Sequence, residues 1–377
     1  MASGRGSDTV RTAGVVAGLA VGGCLTWNVS NVGAVADPLA DAYGVSLAAI
    51  GLLTTALFVT HLLVQLPAGR ASDRYGSRTV ALAAVVAALV GNGVLLIDDL
   101  YPLAILGRLV VGLGSGAAFV SGLDLVRAGG GGPRLLGLYG GATMAGGGLA
   151  LMIVPPLTDA TSWRAAYWSA GLLAIAAALP TLAAGGLPRV GHAAAWILRD
   201  RQLAPLGTLQ AATFGLAVVA GNWAVPLLER EEASSAAAGF AGGLILFAGI
   251  VTRPGGGVLA TRGHSRLLVG ASLLGVALGA ATLAAADVYA VSFLGALVLG
   301  LAAGLPFAAI FAAAQRIRPR TPAAAIGFVN AFGVLTILVG TPLAGLAFEA
   351  PGDGRIAFGV IAALALGALL ALRKAAL

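Results

Sequence analysis

Three side chains that could bind an ion or move a proton interrupt otherwise apolar stretches of the sequence. Arg108 and Arg253 each lie inside a long apolar run. His61 is the only group in such a run with a near-neutral reference pKa. A guanidinium offers a planar fork of donors that matches a carboxylate or another oxyanion. These residue types in this setting indicate binding of an anion within an apolar environment.

The remaining residues argue against several other kinds of chemistry. Cys24 is the only cysteine, so neither an internal disulfide nor a CxxC redox pair can form. The histidines His61, His192 and His264 are scattered and build no HExxH zinc motif. The only lysine is Lys374, so no Walker A loop is present to drive the protein with ATP. We expect no enzymatic activity, no metal site and no cofactor.

The composition is that of an integral membrane protein. Of the 377 residues, 59% are hydrophobic and 10% are charged, and the mean hydropathy is +0.96. The apolar runs are mostly 20 to 27 residues long, which suits helices that cross a hydrocarbon core about 30 Å thick. We predict an all-α protein with twelve transmembrane helices in the lipid bilayer. The predicted spans are residues 12–36, 46–69, 79–97, 101–125, 135–157, a sixth that follows residue 164 and ends near 185, 203–228, 235–258, 266–286, 288–314, 322–348 and 355–372.

The net charge of +7 reflects an uneven distribution of basic residues. With both termini and the even-numbered loops on one side, that side holds 17 of the 22 Lys and Arg residues. The opposite side holds three, namely Arg164, Arg230 and Arg355. The positive-inside rule places the basic side in the cytoplasm. We therefore expect a multi-pass protein of the plasma membrane with both termini cytoplasmic, and no nucleic-acid partner.

A short charged turn separates the second and third apolar runs. It reads Gly-Arg-x-x-Asp-Arg-x-Gly-x-Arg and resembles the loop signature of the major facilitator superfamily of secondary transporters. The matching positions are Gly69, Asp73, Arg74, Gly76 and Arg78. The glycines let helix ends approach closely, and Asp73 can cap a helix or pair with Arg74, Arg78 or Arg134. We expect this loop to control a conformational change.

Two further segments resemble motifs of the same superfamily. Arg108 is followed by Gly112, Gly114 and Gly116, as in the motif whose arginine faces the central cavity. The fifth segment carries Gly146, Gly147 and Gly148 and then Pro155 and Pro156, like the Gly/Pro-rich fifth helix of the family. Small residues of this kind let membrane helices pack backbone to backbone. We expect these positions, together with Pro342 later in the chain, to serve helix packing and gating.

The second half of the sequence repeats landmarks of the first. An offset of 187 residues carries Pro67 and Gly69 onto Pro254 and Gly256, and the same offset carries Pro155 onto Pro342. Two six-helix halves around a site near the bilayer midplane are the architecture that this repeat implies. We predict halves at residues 1–188 and 203–377, joined by a cytoplasmic linker at 189–202.

The eighth apolar segment indicates the class of substrate. The run Thr252-Arg253-Pro254-Gly-Gly-Gly resembles the eighth helix of nitrate/nitrite porters, in which the arginine binds the anion. Gln65 stands in the second segment where those porters have another arginine. We expect a small anionic or carboxylate substrate, bound with Arg108 and Arg253 from opposite halves. The predicted substrate contacts are Arg108, Arg253, Gln65, His61, Asn28 and Asn31.

The resemblance to the superfamily leaves the exact activity open. A secondary transporter that works by alternating access, with or without a coupling ion, is the main prediction. An antiporter that exports drugs or lipophilic compounds is an alternative within this class. A non-transporting receptor or sensor of transporter shape is an alternative of another class. We expect a monomer in each case.

Overall fold

The spans predicted from hydropathy are helices in the structure. The computed structural model describes residues 2–184, 200–349 and 354–377, and these contain twelve helical segments long and apolar enough to cross a membrane. The prediction of twelve transmembrane helices is confirmed. Nine spans are single helices: Ala2–Ser30 (span 1), Leu47–Tyr75 (span 2), Ser77–Ile97 (span 3), Tyr101–Ala128 (span 4), Pro133–Ala160 (span 5), Ala165–Ala183 (span 6), Ser235–Ala260 (span 8), Ser265–Ala285 (span 9) and Pro322–Glu349 (span 11).

The other three spans are built from more than one helical piece. Span 7 consists of Ala204–Gln210, the π-helical turn Ala211–Gly215 and Leu216–Arg230. Span 10 consists of Tyr289–Gly304 and Phe307–Ile317, and span 12 consists of Arg355–Gly367 and Leu369–Lys374. Irregular backbone at membrane depth is tolerated where protein or a water-filled cavity surrounds it. The irregular turns of spans 7 and 10 are therefore candidate positions for a functional site.

The first span ends earlier than predicted. The helix stops at Ser30 instead of residue 36, and a 3₁₀ turn, Gly33–Val35, leads into the short helix Ala36–Tyr43. This helix ends at Gly44, whose φ of +62° lies in the left-handed region that favours glycine. The Tyr43 hydroxyl donates to the Tyr167 hydroxyl at 3.1 Å, and burial raises the pKa of the Tyr43 phenol. The neutral tyrosine therefore fastens the short helix to span 6.

The chain divides into two compact units. One contains Met1–Leu135, Ala142–Ile197 and Arg318–Gly327, and the other contains Leu136–Gly141, Leu198–Ile317 and Phe328–Leu377. Each unit thus includes a short segment from the sequence half that otherwise forms the other unit. The halves at 1–188 and 203–377 stay a prediction. Residues 189–199 of the predicted linker 189–202 lie outside the described residues.

Glycines allow the helices of the first unit to pack with their backbones close together. A Cβ atom at these positions would come too near a neighbouring helix for an ordinary contact. Such a Cβ would lie 3.0 Å from the Leu57 carbonyl carbon at Gly112, 2.8 Å from the Ala84 carbonyl oxygen at Gly114, 2.6 Å from the His61 carbonyl oxygen at Gly116 and 2.5 Å from Thr26 Oγ1 at Gly146. The other residues predicted for packing or gating, Gly147, Gly148, Pro155, Pro156 and Pro342, lie inside spans 5 and 11. A gating role for all of them stays a prediction.

Candidate functional site

Arg108 is fully buried in the first unit and its guanidinium is hydrogen-bonded to spans 1 and 2. Nη2 donates to the Asn28 carbonyl oxygen at 2.9 Å, Nη1 to Asn31 Oδ1 at 3.4 Å, and Nε to the Leu53 carbonyl oxygen at 3.3 Å. Asn28 lies in the last turn of span 1, where helix carbonyls lack intrahelical amide donors. Arg108 therefore caps the end of span 1 from span 4. This contact explains why span 1 can end before residue 36.

The two asparagines of span 1 have further partners. Asn92 of span 3 donates to Asn28 Oδ1 at 2.9 Å, and Asn31 Nδ2 donates to the carbonyl oxygen of Ala166 in span 6 at 2.6 Å. Both side chains are fully buried. The structure thus brings Arg108, Asn28 and Asn31 together, as a network that joins five spans of the first unit. Whether these residues contact substrate stays a prediction.

His61 and Gln65 lie one turn apart on span 2, and both are buried. The imidazole Nδ1 of His61 is 2.9 Å from Ser115 Oγ in span 4. The Gln65 side chain is fully buried, and neither its Oε1 nor its Nε2 has a hydrogen-bond partner among the described residues. Such groups are rare in folded proteins and call for an explanation.

Arg253 lies in span 8 of the second unit, between two aromatic rings. Its side chain is 4% exposed, and its guanidinium carbon is 5.1 Å from the ring centroid of Phe214 and 4.5 Å from that of Phe307. Nη1 donates to the Gly140 carbonyl oxygen at 3.3 Å. Contacts between a guanidinium and the face of a ring are favourable cation–π interactions. The two rings and the Gly140 carbonyl oxygen position the guanidinium in this unit.

Irregular backbone presents both rings to Arg253. Phe214 lies in the π-helical turn of span 7, and Phe307 is the first residue after the interruption of span 10. A π-helical turn inserts one residue into a helix and is frequent at functional sites. Neither phenylalanine is among the site residues predicted from the sequence, because hydropathy alone does not reveal a π-helical turn. The signal that could have found Phe307 is the Gly304-Leu-Pro306 sequence directly before it.

Glycines of span 5 give Arg253 its place. A Cβ atom at Gly140 would lie 2.6 Å from Phe307 Cδ1 and 2.9 Å from Arg253 Cδ. A Cβ at Gly141 would lie 2.8 Å from Pro254 Cγ. Only glycine permits this close approach without a shift of its neighbours. The paired glycines of span 5 therefore support the arginine of span 8.

The charged loop motif binds the beginning of span 11. Asp73 is 1% exposed, and its two carboxylate oxygens accept hydrogen bonds from the backbone amides of Ala323 at 3.1 Å and Ala324 at 3.0 Å. Span 11 begins at Pro322, so these amides belong to its first turn, where free N–H groups and the helix dipole attract a carboxylate. A Cβ at Gly69 would lie 2.5 Å from the Ala323 carbonyl oxygen. Asp73 and Gly69 together hold the first turn of span 11 against span 2.

The hydrogen-bond partners of Asp73 differ from the expected arginines. Arg74 lies over the ring of Tyr75 with its guanidinium carbon 5.0 Å from the centroid. Arg78 donates to the carbonyl oxygens of Thr181 at 3.0 Å and Leu182 at 2.7 Å. Two backbone amides of span 11 donate to the one carboxylate of Asp73, where the helix dipole also favours a negative charge. Gly76 separates spans 2 and 3 with a φ of +92°, in the region that favours glycine.

The last arginine of the motif has a counterpart in the second unit. Arg78 binds carbonyl oxygens at the end of span 6, and Arg266 donates to the Ala375 carbonyl oxygen just after span 12 at 2.9 Å. Helix ends carry free carbonyl oxygens that favour a cation. We infer that these two arginines fasten the last span of each sequence half. Asp73 has no equivalent carboxylate, because the repeat offset leads to Ala260.

Replacement of Asp73 by asparagine is expected to slow the transport that the sequence predicts while leaving membrane insertion intact. Asparagine has one acceptor oxygen where aspartate has two, so one of the two amides would face its NH₂ group, and it carries no charge to match the helix dipole. Uptake by reconstituted protein and the yield of monodisperse protein in detergent measure the two properties. Wild-type turnover in this variant would reduce the motif to a simple turn between helices.

Known proteins that are similar to this chain belong to one superfamily of membrane transporters. A model of the Major Facilitator Superfamily matches residues 17–208, which is more than half of the chain, and the chain belongs to this superfamily. A stretch of 147 residues is 26% identical to Probable anion transporter 6, chloroplastic, of Arabidopsis thaliana. That stretch is 37% of this chain and 28% of the length of that protein. Membership of the superfamily identifies a multi-pass membrane protein of a transporter family and not of an enzyme family.

Solved structures of transporters share the fold over nearly the whole chain. The human organic anion transporter MFSD10 (TETRAN) is 18% identical, with coverage of 98% of this chain and 99% of that one and a TM-score of 0.73. The proton:xylose symporter XylE is 14% identical, with coverage of 96% and 94% and a TM-score of 0.74. The E. coli fucose:proton symporter FucP is 13% identical, with coverage of 94% and 97% and a TM-score of 0.70. At these identities the likeness concerns the fold alone.

Proposed function

We propose that this protein is a secondary transporter of a small anion, either inorganic or carboxylate-bearing, that works by alternating access. The observation that carries the proposal is the buried guanidinium of Arg253 between Phe214 and Phe307. A charged group within a membrane span is costly and commonly marks the path of a substrate or ion. Binding of an anion would offset the cost of burying this charge.

The name of one similar protein supports an anion as the substrate. The Arabidopsis relative is named a probable anion transporter. The fork of N–H donors on a guanidinium suits the oxygens of nitrate-like ions and carboxylates. The aromatic rings beside Arg253 favour a planar cation. We therefore propose Arg253, and not Arg108, as the main contact of the anion.

Arg108 has a different role in this proposal. Three of its five N–H donors are used by oxygens of spans 1 and 2. We propose that Arg108, Asn28 and Asn31 support the shape of the first unit, although the sequence analysis assigned them substrate contacts. His61 remains a proposed contact for substrate or for a coupling proton. Histidine has a near-neutral reference pKa, and His61 is the histidine of the sequence that lies within a span.

Binding is expected to stabilise the protein against heat. A ligand that binds only the folded state raises stability by an amount that grows with its concentration relative to the dissociation constant. Thermal unfolding of purified wild-type protein should shift upward with the right anion from a panel of nitrate, phosphate, acetate and larger carboxylates. Arg253→Gln should lose the shift. Arg262→Gln, a change of an exposed arginine just after the same span, should keep it.

We propose that both termini and the basic loops face the cytoplasm of a plasma-membrane protein that functions as a monomer. Asp98 and Arg320 are exposed at positions predicted for opposite sides. In a Cys24→Ser background, a cysteine at position 98 is expected to react with an impermeant thiol reagent on intact cells. A cysteine at position 320 is expected to react only after permeabilisation. The reverse pattern would overturn the orientation.

A further inference from the structure

One face of span 2 packs tightly against the first turns of span 11, and both belong to the first unit. The contact is formed by Gln65, Gly69 and Asp73 on span 2 and by Ala323, Ala324 and Gly327 on span 11; we call it the span 2–span 11 seam. Along span 2 these three residues recur at every fourth position, as expected for one helical face. A Cβ at Gly327 would lie 2.8 Å from the Gln65 carbonyl carbon. The seam therefore closes backbone to backbone around Gln65.

The polar groups along this seam are unequally satisfied. The carboxylate of Asp73 receives two amide hydrogen bonds from span 11. By contrast, the Gln65 side chain is 0% exposed and has no hydrogen-bond partner for either polar atom among the described residues. The same seam thus contains one group that stabilises its closed form and one whose burial without partners destabilises it.

The cost of a buried polar group without partners is large enough to affect a conformational equilibrium. A group of this kind shifts the equilibrium between a closed state that buries it and an open state that hydrates it by roughly five- to a hundredfold toward the open state. A carboxamide can use up to four hydrogen bonds, and opening of the seam, which lies against the Gln65 backbone, would admit water to this side chain. Gln65 therefore contributes free energy in favour of the open seam.

We propose that Gln65 biases the span 2–span 11 seam toward opening and so opposes the hold that Asp73 exerts on the first turn of span 11. The two residues set the population of the closed seam between them. This inference goes beyond the proposed function, because it concerns the protein without any substrate. It also gives Gln65 a role other than the substrate contact predicted from its position in the sequence.

Hydrogen–deuterium exchange at the start of span 11 tests the proposal. The amides of Ala323 and Ala324 are protected by Asp73 and exchange when the seam opens. In substrate-free full-length protein, Gln65→Met should slow exchange of the peptide that contains these amides by about tenfold. Gln65→Leu should also slow this exchange. Because leucine and methionine differ in shape but both lack the carboxamide, agreement between the two variants would trace the effect to the lost polar group. Gln65→Glu should accelerate exchange, because an ionised carboxylate at this position would be costlier to bury.

Gln210 provides a matched control in the second unit. It is 1% exposed, and its Nε2 is 3.5 Å from Asn330 Oδ1, so its carboxamide has a partner. Gln210→Met should leave exchange at Ala323 and Ala324 unchanged, whereas Asp73→Asn should accelerate it. Exchange that is unchanged or faster in both Gln65→Met and Gln65→Leu would overturn the proposal. Because the measurement contains no anion, that result would leave the assignment of Arg253 untouched.

Discussion

Anion uptake by the Arg253→Gln variant is expected to fall roughly ten- to a hundredfold, because a hydrogen bond to a charged group is worth about 1.5 to 3 kcal/mol. Glutamine keeps a polar side chain but loses the charge and the planar fork. Arg253→Lys should restore uptake only in part, since a lysine supplies a point charge without the paired donors. Initial rates in proteoliposomes at several anion concentrations measure the loss.

Stability should separate this effect from damage to the fold. Glutamine removes the buried charge but keeps N–H donors for the Gly140 carbonyl oxygen, and Phe214 and Phe307 can pack on it. The thermal midpoint of Arg253→Gln should therefore stay near that of the wild type. Arg262→Gln, exposed just after span 8, should alter neither uptake nor stability. Full uptake in Arg253→Gln would make Arg253 a structural residue.

Arg108→Gln is expected to give the opposite result, a large loss of stability. The substitution takes donors from the carbonyl oxygens of Asn28 and Leu53 and from the side chain of Asn31. Each buried acceptor left without a partner costs about 1 to 3 kcal/mol. Span 1 should then come loose from spans 2 and 4 at a lower temperature than in the wild type.

Cys24 reports this loss directly. It is the single cysteine of the chain, is partly buried, and lies in span 1 one helical turn before Asn28. Its reaction with a thiol-specific dye during heating therefore follows the unfolding of that span. An unchanged midpoint in Arg108→Gln, combined with weakened anion binding, would return Arg108 to the substrate-contacting role predicted from the sequence.

The spans were predictable because each depends on its own composition. A run of about 20 apolar residues forms a helix in lipid wherever it lies, since the backbone must satisfy its own hydrogen bonds there. The early end of span 1 at Ser30 was not predictable in this way. It depends on Arg108, which reaches the Asn28 carbonyl from a residue 80 positions further along the chain.

Of the three side chains that form the candidate site, only the charged one could be predicted from the sequence. Arg253 was recognisable as a charge within an apolar segment, but Phe214 and Phe307 depend on a π-helical turn and an interruption that arise from tertiary packing. The partners of Asp73 lie 250 and 251 residues away. An aspartate near several arginines suggests a salt bridge, whereas the N-terminus of a distant helix has no local signal in the sequence.

The most direct test of an anion transporter is uptake by purified protein in proteoliposomes, with a panel of small anions, carboxylates, sugars and lipophilic cations, each with and without a pH gradient. The proposal predicts saturable uptake of at least one anion that is absent from protein-free liposomes and lost in Arg253→Gln. Dependence on the pH gradient would identify a coupling proton. Transport of lipophilic cations or sugars alone, with Arg253→Gln fully active, would contradict the proposal, as would an absence of transport across the whole panel.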